Sequence, residues 1–192
     1  HDGTPISVAD FVTGMMLNFD LGDEASPDYD ENLVPDREQF LSAFKGVRIV
    51  SEDPLIIEHY ADNPNLDAEN SVYSWWPGDE GGGAYDFGDA AWHNMALMLR
   101  GEENGGFAFT TDKADTNEIE WTSMIAGPSL DVMAAELTAA QEEGFIPYAA
   151  TLSQYVSEED AASAYGNLEE FARRYGHYYL GTGPYFLQGV FT

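Results

Sequence analysis

The sequence predicts a mixed α+β domain in which helices outnumber strands. Three observations carry that expectation. Capping residues stand ahead of apolar stripes at helical spacing. Two short runs rich in Val, Ile and Leu flank a Pro-containing turn. The 192 residues are 44 % hydrophobic and 14 % aromatic, enough for one packed core.

The opening Asp2-Gly3-Thr4-Pro5 reads as a turn. Ser7 then caps a helix over residues 8–18, with Asp10 completing a capping box and Phe11, Met15 and the stretch from Leu17 to Phe19 on its apolar side. Residues 20–36 hold seven acidic side chains with Gly22, Pro27 and Pro35, and are expected to form a long exposed loop. Asp36 is placed to cap a short helix ending near Phe44. Residues 47–50 and 55–60 then pair as a hairpin around Ser51-Glu52-Asp53-Pro54. Residues 61–89 are rich in Asp, Asn, Gly and Pro and form a second long loop, of a length that suits binding or an interdomain contact.

Helical spacing returns at residues 90–99, where Trp92, Met95, Ala96 and Leu99 share a face. Gly105-Gly106 breaks the chain before a short strand at 107–110, and residues 116–125 are assigned to a helix. Pro128 suits a helix N1 position, opening a helix over 130–143 with apolar positions at Leu130, Met133, Ala134 and Leu137 and Gly144 as its stop. Ser157 and Asp160 cap a last helix that runs to Tyr175, with Tyr165, Leu168, Phe171 and Ala172 as its stripe. Residues 177–180 and 185–190 alternate as strands around a glycine turn. No repeat of ~20–50 residues is visible. The sheet is therefore expected to be small, mixed or antiparallel.

Charge narrows the function classes. Seven basic against 35 acidic residues give a net charge of −28, so no sizeable cationic footprint for nucleic acid can form, and anionic lipid is disfavoured for the same reason. No apolar run approaches the ~20 residues of a membrane span. Cysteine is absent, which removes disulfides, thiolate catalysis and Cys-ligated zinc. Lys45 and Lys113 are the only lysines. A lysine-poor, carboxylate-rich surface suits high salt, where screening relieves self-repulsion, and equally an ordinary secreted protein. The first residue is His1 rather than Met, and the last five residues read like the middle of a strand, so the chain is expected to be a piece of a longer protein.

Local chemistry is sparse. His1, His59, His93 and His177 are far apart and none lies in an HExxH motif; there is no P-loop and no GxSxG. Asp28, Asp30 and Asn32 repeat the 1-3-5 spacing of a calcium loop, but Leu33 and Gln39 stand where an EF-hand needs Gly and Glu. A looser calcium site there, or around Asp79, Glu80, Asp86 and Asp89, stays open. Tyr73, Trp75 and Trp76 form the densest aromatic group, in a polar loop, and suit either ligand contact or the join to a neighbouring lobe. No cofactor is implied.

Taken together, several segments resemble the extracytoplasmic solute-binding proteins of peptide-type ABC importers, family 5. His1-Asp2-Gly3-Thr4-Pro5-Ile6-Ser7-Val8-Ala9-Asp10-Phe11-Val12 resembles that family's DGTP turn followed by a capped helix. Gly181-Thr182-Gly183-Pro184-Tyr185-Phe186-Leu187 is similar to its GTGPYxL turn. Phe44-Lys45-Gly46-Val47-Arg48-Ile49-Val50 with Ile56 to Tyr60 occupies the place of its hairpin, though Ser51-Glu52-Asp53-Pro54-Leu55 replaces the Asp-Asp-Tyr-Thr turn. Residues 144–180 are similar to a subgroup segment that precedes the final turn. The order matches the family's.

The resemblance implies one domain over residues 1–192, a fragment of a larger two-lobed protein and a subdomain of the class II periplasmic-binding-protein-like fold. It implies a periplasmic or cell-surface component without enzymatic activity. That component binds a peptide or similar small solute and delivers it to ABC permease subunits, with the remaining lobes of its own chain as partners. Tyr29 lies where family members approach the bound peptide, so the candidate ligand contacts are Tyr29, Tyr73, Trp75 and Trp76. Two other readings remain: a secreted carbohydrate-active protein, for which acids and aromatics both serve sugars, and an acidic calcium-using interaction module.

Overall fold

The structure, a computed structural model, describes residues 1–62, 91–181 and 185–190. Among them, seven α-helices and a two-stranded antiparallel sheet make a mixed α+β fold. We number them in chain order: α1 (Val8–Asp20), α2 (Val34–Ala43), β1 (Phe44–Glu52), β2 (Leu55–Ala61), α3 (Trp92–Glu103), α4 (Thr111–Asn117), α5 (Ser129–Glu143), α6 (Ala149–Leu152) and α7 (Glu158–Tyr175). A single 3₁₀ turn, Glu31–Leu33, leads into α2.

Helix α3 is the axis of the molecule. Every residue from Trp92 to Leu99 is buried, because α1, α5 and α7 pack around it. A helix apolar on most of its circumference is stable in that position only when covered on several sides. Phe107 folds back onto its C-terminal turn, and a Cβ at Gly101 would run into that ring. Trp92 meets Tyr165 of α7 with ring centroids 5.8 Å apart, and the Tyr165 hydroxyl donates to the Phe145 carbonyl at 2.8 Å. Arg100 ties α3 to α5 through Glu136 (2.9 Å) and Glu143 (2.6 Å). A second, smaller core joins Val8, Val12 and Leu152, with Ile49 and Leu55 of the hairpin against it.

Local capping places the helices as the sequence indicates. Ser7 with Asp10 and Ser157 with Asp160 both form complete capping boxes, and Gly144 and Gly176 end α5 and α7 with φ of 62° and 76°. The hairpin pairs Val47 with His59, Ile49 with Ile57 and Glu52 with Leu55, and its turn contains a cis Asp53-Pro54 bond. Trp92, Met95, Leu99, Leu168 and Phe171 are all buried, as their spacing requires.

Five expectations need correction. In α1 the buried face is Val8, Ala9, Val12, Thr13, Gly14 and Leu17, while Phe11 and Met15 sit at its edge, because Ala9 and Leu17 join the main core and Val8 and Val12 the smaller one around Leu152. Helix α2 starts at Val34 with Pro35 in its first turn, so Asp36 lies inside it rather than capping it. Residues 116–125 are not a helix: Thr110 accepts from the Lys113 N–H and starts α4 earlier, and Glu118 ends it in a left-handed conformation. Residues 107–110 form no strand, only one parallel bridge from Ala108 to Trp121. Residues 177–180 and 185–190 form no ladder; the Tyr178 N–H turns to the Met124 carbonyl, and the Tyr179 N–H donates to His177 Nδ1. Alternation alone cannot make a strand whose backbone groups are already satisfied elsewhere.

Candidate functional site

The segment between α1 and α2 is not the solvated loop its composition suggests. Asp28 and Asp30 are buried, at 6 % and 3 % exposure. Two contacts fold it inward. Arg37 of α2 donates to the Phe19 carbonyl (2.7 Å) and to Asp23 (2.5 Å), and the Asp30 N–H donates to the Leu21 carbonyl at 2.8 Å. The segment lies against the C-terminal end of α3 and the start of α4, where the side chains of Glu102, Thr110 and Lys113 gather.

Lys113 is the centre of that meeting. Its Nζ donates to the Asp28 carbonyl (3.3 Å), to the Tyr29 carbonyl (3.0 Å) and to the Glu102 carboxylate. The other Glu102 oxygen accepts the Phe109 N–H at 2.7 Å. The Thr110 hydroxyl donates to Asp30 Oδ2, while Asp30 Oδ1 accepts from both Asn32 nitrogens at 2.9 Å. Asp28 Oδ1 is buried without any hydrogen-bond partner. Burial pushes the Asp28 carboxyl up to about 7, helped by the neighbouring charges of Glu102, Asp20 and Glu103 and opposed by Lys113. Burial also raises Glu102, against the pull of Lys113. Such a site can take up or release a proton near neutrality.

A second polar cluster joins the two ends of the described chain. His93 of α3 meets Asp2 at 2.8 Å with side chains 1 % and 3 % exposed. Burial raises Asp2, but His93 and the Thr4 N–H outweigh it and hold the carboxyl below its usual range. Asp10 accepts the first N–H of α3, from Trp92, at 2.9 Å. Asn167 of α7 donates to Thr4 (3.0 Å), and the His1 backbone nitrogen donates to the Gly181 carbonyl (3.2 Å). The His1 and Phe186 rings lie 5.4 Å apart. His177 accepts the Tyr179 N–H at Nδ1, so its Nε2–H donates to the Leu187 carbonyl at 2.8 Å. Residues 1–4, 177–181 and 186–187 therefore form one junction.

A shallow groove of about 370 Å³ runs between α5 and α7. Leu130, Leu137 and Ala172 line it, and Gln141 donates across it to Glu169 at 3.1 Å.

Of the expected ligand contacts, Tyr29 is half-buried beside the Lys113 cluster. Its hydroxyl is shifted upward by desolvation and by Glu24, Glu31 and Asp30. Tyr73, Trp75 and Trp76 lie outside the described residues, as do Asp79, Glu80, Asp86 and Asp89. Among the described residues, no group of three or more His, Asp or Glu side chains is placed to hold a metal ion. The 1-3-5 spacing of Asp28, Asp30 and Asn32 instead serves a turn closed on Asp30. Glu102 and Lys113 went unread in the sequence. The available signal was rarity, since one of two lysines among 35 acids is prone to be buried against some of them.

No family model matches this chain, and no curated protein matches it.

Proposed function

We propose that the chain belongs to an extracytoplasmic solute-binding protein that delivers a peptide or similar small solute to an ABC importer. One observation carries the reading. The two end segments that resemble the importer family, separated by 180 positions, meet through the His1–Gly181 hydrogen bond. The Asp2–His93 pair fastens the first of them to the buried axis α3. Two segments with the family's turn chemistry, held at one junction, suit a subdomain whose connections to a larger lobe run side by side.

On this reading, the chain supplies one wall of a site that a second lobe closes by hinge motion. Selectivity comes from differential affinity for the closed state, with no covalent step. Tyr29, together with Tyr73, Trp75 and Trp76, is assigned to the ligand side. The permease subunits and the other lobe are the partners.

Deleting the gene in its host tests the assignment. Uptake of labelled oligopeptides or of another small solute class should fall to background and return with a plasmid copy. Unchanged uptake across solute classes, in a genome where no permease or ATPase gene flanks this one, would reject it.

A further inference from the structure

We propose that the Asp28–Lys113–Glu102 cluster is a proton-operated latch, which holds residues 24–29 of the acidic segment against α3 and α4 when Asp28 is protonated and releases them when Asp28 ionises. This stands on contacts independent of any importer role.

The geometry sets up the competition. Asp28 is 6 % exposed, with one carboxyl oxygen wholly buried and unpartnered. A buried neutral acid tolerates that position, whereas a buried carboxylate with no donor does not. The charged groups facing it come from each packed element: Asp20 at the end of α1, Glu102 and Glu103 at the end of α3, and Lys113 on α4. Asp20 also accepts from the Tyr148 hydroxyl at 2.8 Å, and Asp30, within the segment, adds its charge at Glu102. Three carboxylates thus act on Asp28 against one ammonium group, and Lys113 is already bonded to Glu102. An ionised Asp28 finds no unshared cation in this set.

Relief requires Asp28 to reach water. The segment has a natural pivot for this, because Arg37 grips Asp23 and the Phe19 carbonyl at one end and Thr110 holds Asp30 at the other. Between these anchors, among the described residues, the tertiary hydrogen bonds that fasten residues 24–29 are the two from Lys113 to the Asp28 and Tyr29 carbonyls. Turning Asp28 outward breaks both and carries Tyr29 with it. The upward shift of the Asp28 carboxyl, to about 7, places the change near neutral pH.

The absence of cysteine makes a single-label experiment clean. A nitroxide on Ala25→Cys, at an exposed position of the segment, is followed by electron paramagnetic resonance from pH 5.5 to 8.5. A control label goes on Ala135→Cys, exposed on α5. We expect the Ala25 label to pass from immobilised to a spectrum dominated by a fast component, with a midpoint near pH 7, and the Ala135 label to stay unchanged. Asp28→Asn, which imitates the protonated acid, should keep the Ala25 label immobilised throughout and leave the melting temperature at pH 8.5 at or above the parent's. A pH-independent spectrum in the parent overturns the latch. So does an undiminished transition in Asp28→Asn, and so does a transition lost only in Glu102→Gln.

Discussion

Lys113→Met should lower stability at pH 7 by about 3–5 kcal/mol, the cost of leaving a buried carboxylate without its partner. The Glu102 side chain is 3 % exposed and cannot turn to water, and Lys113 also holds two carbonyls of the acidic segment. For a chain of this length the loss corresponds to a fall in melting temperature of roughly 10 °C. The other lysine is the control. Lys45 lies 3.8 Å from Asp62 with a side chain 49 % exposed, so Lys45→Met should cost under ~0.5 kcal/mol.

The pH dependence of this loss has a definite sign. Burial already raises the Glu102 carboxyl, and removing Lys113 raises it further. The variant therefore recovers stability as pH falls and Glu102 takes up a proton, and loses it as pH rises through the raised value. Glu102→Gln added to Lys113→Met should restore part of the loss, because the uncompensated charge is then gone. Thermal unfolding of the four proteins in the cycle decides it. Equal, small effects at Lys45 and Lys113 would show that the cluster is solvated.

Phe171→Ala should cost about 3–5 kcal/mol, the range for emptying a buried aromatic site. The ring is 3 % exposed, 4.8 Å from the Tyr175 ring and 5.3 Å from the His177 ring. It lies within the main core, on the face of α7 that also carries Tyr165 and Leu168. The vacated space lies under His177, whose Nε2–H holds the Leu187 carbonyl. Hydrogen exchange should therefore quicken first around residues 177–181, where the chain meets His1. Denaturant unfolding gives the magnitude, and exposed Glu170→Ala on the same helix should stay within ~0.5 kcal/mol. A Phe171→Ala loss below ~1 kcal/mol would mean that the ring is not enclosed.

Such contrasts show which parts of the molecule a linear sequence can disclose. Ser7 with Asp10 and Ser157 with Asp160 act over three residues, so the start of α1 and of α7 was legible. Gly144 and Gly176 act on their own backbone. The hairpin was legible because its turn and both strands lie within 20 positions. The phase of α1 was not, because it depends on the two cores that cover it, one around α3 and one around Leu152. The C-terminal alternation misled for a similar reason: whether residues 177–180 form a strand depends on Met124 and Asn94, which take the Tyr178 N–H and carbonyl. The acidic segment misled most. Its composition is that of a solvated loop, yet Lys113, 84 positions from Tyr29, draws it inward. The Asp2–His93 pair spans 91 positions and was equally beyond local reading.

If this chain is one wall of a two-lobed binding site, isothermal titration calorimetry with a mixed oligopeptide library should separate the chain from the whole protein. The titration is run on the 192-residue chain and on the full-length protein that the proposal requires. A solute held by one wall loses most of the buried area and enclosing polar partners on which small-molecule affinity rests. Saturable micromolar heat is expected from the full-length protein and none from the chain alone. Saturable binding by the chain alone, or no binding of any small solute by the full-length protein, would contradict it.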